Sequence, residues 1–65
     1  MNPLEQYFGK NIEVECIDGI VIIGHVSSVI SALDSEREIP ELDIQGENGY
    51  YYNIPQNEIK TIKTI

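Results

Sequence analysis

The alternation of apolar and polar side chains predicts five short strands. Residues 11–17 place Ile12, Val14 and Cys16 on one face and two glutamates on the other, which is typical of a half-buried strand. Residues 20–33 predict a longer strand whose first half is apolar on both faces, so we expect both of its sides to be covered. Three further strands are predicted over residues 42–45, 50–54 and 59–65.

Glycine, proline and asparagine mark the connections between these strands. Asp18-Gly19 is a hairpin signal, and a two-residue loop there would place His25 opposite Ile12. Gly24 interrupts the long strand, which indicates a sharp bend or a bulge. The remaining connections are residues 34–41, 46–49 and 55–58.

The first residues predict a short α-helix over residues 3–8. Asn2 suits the capping position, Pro3 suits the first helical position, and Gly9 supplies the stop. A helix this short does not stand alone in water, so we expect Leu4, Tyr7 and Phe8 to pack on the sheet.

These elements together predict an all-β fold in a single domain, residues 1–65. Its architecture would be a short N-terminal α-helix and a five-stranded, strongly bent antiparallel small barrel. A domain of this size buries only about 60% of the surface that its unfolded chain exposes. One cysteine excludes an internal disulfide, and one histidine excludes a Cys/His zinc site within one chain. Self-association is the remaining source of stability, so we expect a homo-oligomer.

Charge narrows the choice of partners. Eleven acidic residues oppose four basic ones, giving a net charge of −7, and the acids are spread along the chain. Such a surface repels phosphate backbones and suits basic or neutral partners, although solubility alone would also explain it. We find no pattern of a secretory signal and no apolar run long enough to cross a membrane, so we expect a cytoplasmic protein without a membrane partner.

The sequence predicts no enzyme and no cofactor. Cys16 and His25 are not expected to be cross-strand neighbours, and Cys16 is best interpreted as a small core side chain. Ser27, Ser28 and Ser31 lie outside any nucleophile elbow. No phosphate-binding glycine loop is present either.

Two segments resemble the motifs of a known family. The first reads Gly9-Lys10, Ile12-x-Val14-x-Cys16-x-Asp18-Gly19-Ile20 and Gly24-x-Val26, and the second is Ile59-x-x-Ile62 after a tight turn. They resemble the first Sm motif and the end of the second in the Sm and Sm-like (LSM/Hfq-type) family. The same alternation with two glycines would also suit another five-stranded small barrel.

The resemblance implies a closed ring in which the fourth strand of one subunit pairs with the fifth strand of the next. In this chain those strands are residues 50–54 and 59–65. The oligomer interface would then include Tyr50, Tyr51, Tyr52, Ile59 and Ile62. The tyrosines are alternatively base-stacking side chains, or are divided between the core and a subunit interface.

The RNA-binding residues of the family are not matched. Its loop aspartate falls on Ile30 and its loop asparagine on Asp34, while its Arg-Gly pair falls on Pro55-Gln56. The Lys-His pair of the Hfq branch falls on Gln56-Asn57. Asp34, Gln56 and Asn57 therefore occupy the family's RNA loops without a cation for the phosphate contacts.

Three functions follow from these observations. The first is a non-catalytic, ring-forming Sm-like module with an acidic surface that binds a protein or has a structural role. The second is an Sm-like protein that binds single-stranded RNA, which the net charge of −7 disfavours. The third is an acidic decoy that inhibits a nucleic-acid-binding protein, which only size and charge support.

Overall fold

The computed structural model describes residues 4–65, which form one five-stranded antiparallel sheet. Its strands are β1 (Asn11–Cys16), β2 (Val21–Ile30), β3 (Glu41–Gly46), β4 (Tyr51–Pro55) and β5 (Ile59–Thr64). They lie side by side in the order β4-β3-β2-β1-β5. The predicted all-β fold and antiparallel sheet are confirmed. The predicted closure of the sheet into a barrel is not confirmed, because β4 and β5 lie at opposite ends of this order.

The core lies on one face of the sheet. Ile12, Val14 and Cys16 of β1 are buried there, which confirms the predicted alternation. Within residues 4–65, the buried apolar side chains are Leu4, Ile12, Val14, Cys16, Ile22, Val26, Leu42, Ile44 and Ile54. Partly buried apolar side chains, Tyr7, Val29, Tyr52, Ile59 and Ile62, pack around them.

The prediction of an N-terminal α-helix is wrong. The segment is a single 3₁₀ turn, Glu5–Tyr7, closed by hydrogen bonds from the N–H groups of Tyr7 and Phe8 to the carbonyl oxygens three residues earlier. Gly9 then leaves the helical region with φ of 74°. So few residues cannot meet the cost of nucleating an α-helix, whereas a 3₁₀ turn closes with one fewer residue. Asn2 and Pro3, the predicted cap and first helical residue, lie outside the described residues.

The turn still packs on the sheet, although incompletely. Leu4 is buried and Tyr7 is partly buried against the core, as expected. Phe8 is exposed, so the prediction that it packs on the sheet is wrong. The turn therefore contributes one fully buried side chain and leaves an aromatic ring in solvent.

The first hairpin has a three-residue loop, so the predicted two-residue loop is wrong. The Cys16 N–H donates to the Ile20 carbonyl at 2.8 Å, and the Gly19 N–H donates to the Cys16 carbonyl at 2.9 Å. Gly19 has φ of 90°, which fits a type I turn followed by a left-handed residue. His25 consequently lies opposite Asn11 rather than Ile12. The inference that Cys16 and His25 are not cross-strand neighbours is confirmed.

β2 is shorter and less covered than predicted. It ends at Ile30 because the N–H groups of Asp34 and Ser35 both donate to the Ser31 carbonyl and close a turn. Leu33, predicted to end the strand, is 97% exposed. Val21 is exposed and Ile23 only half-buried, so within residues 4–65 nothing covers the outer face of β2. The expectation that both sides are covered is therefore wrong for the single chain.

Gly24 marks a close approach between strands and not a bulge. It pairs regularly with Ile12 of β1 and Gly46 of β3, and the shift in register between β2 and β3 lies at Ser27 instead. A Cβ atom at Gly24 would lie only 2.3 Å from the carbonyl oxygen of Gln45. Only glycine therefore fits at this close contact between the paired strands β2 and β3.

We predict that Gly24→Ala lowers the free energy of unfolding by about 1–3 kcal/mol, because backbone atoms of β3 would have to move to admit the methyl group. The measurement is urea unfolding followed by circular dichroism at one fixed protein concentration. His25→Ala, an exposed neighbour in the same strand, is the control and should stay within about 0.5 kcal/mol of wild type. Equal effects of the two substitutions would contradict the prediction.

Candidate functional site

β4 forms one open edge of the sheet. The backbone N–H and C=O groups of its even-numbered residues point toward β3, as shown by the hydrogen bond from the Gly46 N–H to the Tyr50 carbonyl at 2.7 Å. The hydrogen bond from the Gln56 N–H to the Pro40 carbonyl, at 2.8 Å, shows the same direction for another even-numbered residue. Because backbone groups alternate in direction along an antiparallel strand, those of Tyr51 and Asn53 point away from the sheet. They are available to a further strand.

β5 forms the other open edge. The Ile65 N–H donates to the Asn11 carbonyl at 3.0 Å, which shows that the backbone groups of the odd-numbered residues at this end point toward β1. The backbone groups of Ile62 and Thr64 consequently point outward. On the side facing β1, Lys63 lies 3.3 Å from a carboxylate oxygen of Glu13. Exposed pairs of this kind contribute at most about 1 kcal/mol, so the backbone ladder is the main link between β5 and β1.

The predicted interface side chains divide into exposed and packed groups. Tyr50 and Tyr51 are 69% and 74% exposed, while Tyr52 packs against the core. The Tyr52 hydroxyl accepts a hydrogen bond from the Asn48 side-chain amide at 2.9 Å. Ile59 and Ile62 are half-buried at the margin of the core. Among the predicted interface side chains, Tyr50 and Tyr51 are thus the ones exposed enough to contact another molecule.

An apolar cleft of about 350 Å³ adjoins the β4 edge. Tyr52 and Ile54 of β4 form one wall, and Ile17 and Ile20 at the tip of the first hairpin form the other. Both hairpin isoleucines are more than half exposed. Apolar surface is therefore concentrated beside the backbone groups that a further strand would use.

The residues at the family's RNA loops are not gathered into one site. Asp34 is exposed, accepts a hydrogen bond from the Ser31 hydroxyl at 3.1 Å, and lines a polar cleft of about 320 Å³. Gln56 and Asn57 lie in a 3₁₀ turn, Gln56–Glu58, between β4 and β5, and do not line that cleft. The only cation in the lining of the cleft is Arg37, among three carboxylates.

A buried carboxylate, which the sequence did not predict, stands at the centre of this polar cleft. The Glu41 side chain accepts hydrogen bonds from the Ser35 hydroxyl and, at 2.9 Å, from the Asn53 amide. The same amide nitrogen donates to Asp43 at 2.9 Å, and Arg37 lies 3.9 Å from Glu41. These bonds join the loop after β2 to β3 and β4. No local sequence motif predicts these hydrogen bonds, since the partners come from three separate segments.

The hydrogen bonds to Glu41 change its acidity. The Ser35 hydroxyl and then the Asn53 amide hold the pKa of Glu41 below its ordinary value of 4.5, with a smaller lowering by Arg37 and an opposing effect of burial. A carboxylate whose pKa is lowered in the folded state stabilises the fold above the ordinary pKa. That contribution is lost as the pH falls through the folded-state pKa.

Cys16 and His25, the reactive side chains singled out in the sequence, are not brought together. Cys16 is buried, and burial, followed by the charges of Asp18 and Glu58, raises the pKa of its thiol. A raised pKa reduces the fraction of Cys16 that is present as the nucleophilic thiolate, which suits its predicted role as a core side chain. His25 is exposed on β2, with Nδ1 3.1 Å from the Asn11 side-chain oxygen.

Two further types of site are not found in the described part of the chain. Within residues 4–65, no group of three or more His, Cys, Asp or Glu side chains is placed to hold a metal ion. None of the helical segments in that range has the length and apolarity needed to cross a bilayer. The polar cleft and the two sheet edges are therefore the features from which function is inferred.

Comparison with known proteins gives no match: no protein-family model, no curated protein and no solved structure matches this chain. Its function is therefore inferred from its own geometry.

We predict that Ser35→Ala raises the pKa of Glu41 toward 4.5, because it removes the hydrogen bond that lowers this pKa most. The measurement is a titration of the side-chain carboxyl ¹³C resonance of Glu41 by NMR. Ser31→Ala is the matched control, since its hydroxyl donates to Asp34 and not to Glu41. An unchanged Glu41 pKa in Ser35→Ala, or an equal rise in both variants, would contradict the prediction.

Proposed function

We propose that this chain is a non-catalytic, Sm-like module that assembles into a closed homo-oligomeric ring and presents an acidic surface to a protein partner. The observation that carries the proposal is the strand order β4-β3-β2-β1-β5, which leaves β4 and β5 as the open edges. These are the two strands that pair between subunits in the family that the sequence resembles. In each ring contact, β4 of one subunit would continue the sheet onto β5 of the next.

Exposed side chains and backbone groups support this assembly. Tyr51 and Asn53 on one edge, and Ile62 and Thr64 on the other, direct backbone hydrogen-bonding groups outward. Unpaired edges promote uncontrolled association, and a ring uses both of them without leaving a free end. Pairing would also bring a neighbouring strand beside the apolar cleft of Ile17 and Ile20.

RNA binding has less support. Asp34, at one family loop position, is an exposed carboxylate, and Gln56 and Asn57 at the other loop positions are neutral. Arg37, the cation nearest Asp34 in the polar cleft, donates to the Asn53 side-chain oxygen at 3.3 Å. Arg37 also lies 3.9 Å from the Glu41 carboxylate, which partly balances its charge. A net charge of −7 per chain opposes phosphate binding further. Inhibition by an acidic decoy is supported only by size and charge.

We expect light scattering after size-exclusion chromatography to give a mass of several chains. Tyr51→Pro should shift the protein to a monomer, because proline removes an outward N–H group from the β4 edge. Tyr51→Thr is the matched control, because it removes the aromatic side chain but keeps the backbone N–H group. It should retain a larger share of the oligomer than Tyr51→Pro. Circular dichroism checks that both variants remain folded.

A wild-type mass equal to one chain at every concentration would overturn the ring. Oligomers that Tyr51→Pro leaves intact would exclude β4 as the pairing edge. Gel shifts with short homopolymeric RNAs at low salt should show no complex, and a complex that weakens as salt rises would instead favour the RNA-binding function.

A further inference from the structure

A groove crosses the outer face of the sheet, opposite the core. It has a volume of about 680 Å³ and runs from the end of β5 over β1 and β2 to the turn after β3. We call it the outer groove, and its side-chain lining is Asn11, Ile23, His25, Gln45, Glu47 and Ile65. It shares no lining residue with the cleft beside the β4 edge or with the polar cleft around Glu41.

The floor of the outer groove is fixed by two paired glycines. Gly24 and Gly46 lie opposite each other on β2 and β3, and both line the groove. The Glu47 N–H donates to the Ile23 carbonyl at 3.0 Å, which extends the ladder to the end of the groove. The floor of the groove is therefore formed by hydrogen-bonded strands, which need no ordering before a ligand binds.

The walls combine apolar and hydrogen-bonding groups. Ile23 is half-buried and Ile65 is exposed, so an incoming apolar side chain would remove further apolar surface from water at both. The side-chain amides of Asn11 and Gln45 flank these isoleucines and can each donate and accept hydrogen bonds. A shallow lining of this kind suits an extended peptide, whose backbone needs both donors and acceptors.

The charge of the groove selects a basic ligand. Glu47 is exposed, and none of the ion pairs within residues 4–65 includes it. On β1, which β2 separates from β3, Glu13 and Glu15 are each within 4 Å of a lysine of β5, so their charges are partly balanced. Glu47 thus supplies an unpaired negative charge at the wall of the groove, in a chain with a net charge of −7.

We propose that the outer groove binds an extended, basic segment of a partner protein in which lysine or arginine alternates with apolar residues. The apolar side chains share one face of the extended segment and would contact Ile23 and Ile65. The long side chain of a neighbouring lysine or arginine would bend around the segment to pair with Glu47 at the end of the groove. The proposal rests on the protein-binding role proposed above and names its site and its ligand. It does not require the ring, since the groove lies on the outer face and not along the β4 edge.

The test uses two fluorescein-labelled nine-residue peptides of equal charge, one with lysine alternating with valine and one with lysine alternating with serine. Fluorescence anisotropy with the full chain should show tighter binding of the lysine–valine peptide. We expect Ile23→Ser to weaken that binding about fivefold through lost apolar contact. Glu47→Gln should weaken it about threefold through loss of an exposed ion pair.

Glu36→Gln is the matched control for charge. It makes the same substitution at an exposed glutamate that lines the polar cleft and not the outer groove, and it should leave binding unchanged. Equal weakening by Glu36→Gln and Glu47→Gln would reduce the effect to overall charge and overturn the site. Equal binding of the two peptides would exclude the apolar contact and overturn it as well. Because Glu47 is exposed, its variant tests the groove even if Ile23→Ser unfolds the chain.

Light scattering on the same samples separates this proposal from the ring. A monomer that binds the lysine–valine peptide through Glu47 would retain the outer groove and reject the ring. A ring that binds neither peptide would retain the assembly and reject the groove. A complex with the homopolymeric RNAs that survives Glu47→Gln, with no peptide binding, would reject the groove in favour of a nucleic-acid surface elsewhere.

Discussion

The structure depends on burying one face of a single sheet that has two open edges. In the part of the chain that the structure describes, nine apolar side chains form the core on that face, and the edges β4 and β5 lie at opposite ends of the strand order. A chain of 65 residues has few other resources, since it has one cysteine and gains one buried side chain from its N-terminal turn. In the proposed ring, further stability would come from another chain, and the exposed Tyr51 and hairpin isoleucines are apolar surface that such a contact would bury.

The polar cluster around Glu41 solves a different problem. The loop between β2 and β3 is rich in charge and has little apolar surface to anchor it. Hydrogen bonds from Ser35 and Asn53 to one buried carboxylate attach this loop to two strands. Because each oxygen of the Glu41 carboxylate accepts a hydrogen bond, the cost of burying this charged side chain is reduced. The outer groove, by contrast, keeps Glu47 in solvent.

Much of the fold could be predicted from alternation, because burial on one face imposes a period of two on β1 directly. The register of the first hairpin could not, since Asp18-Gly19 suits two-residue and three-residue loops alike and only the hydrogen bonds of Cys16 distinguish them. The candidate site was less accessible still. Tyr51 was predicted at an edge, whereas the positions of Glu41 beside Asn53 and of Glu47 beside Ile23 arise only through the pairing of β3 with its neighbours.

The register shift at Ser27 has a consequence for how this chain tolerates changes in length. Val26 and Val29 are three residues apart, yet they lie opposite Ile44 and Leu42 on the core side because one residue is extra between them. Without Ser27, the pairs on either side of the shift would follow one another with ordinary alternation. β2 can therefore lose one of its two adjacent serines, Ser27 or Ser28, and keep its apolar side chains in phase, whereas a single deletion elsewhere in the strand would put those on one side of it out of phase.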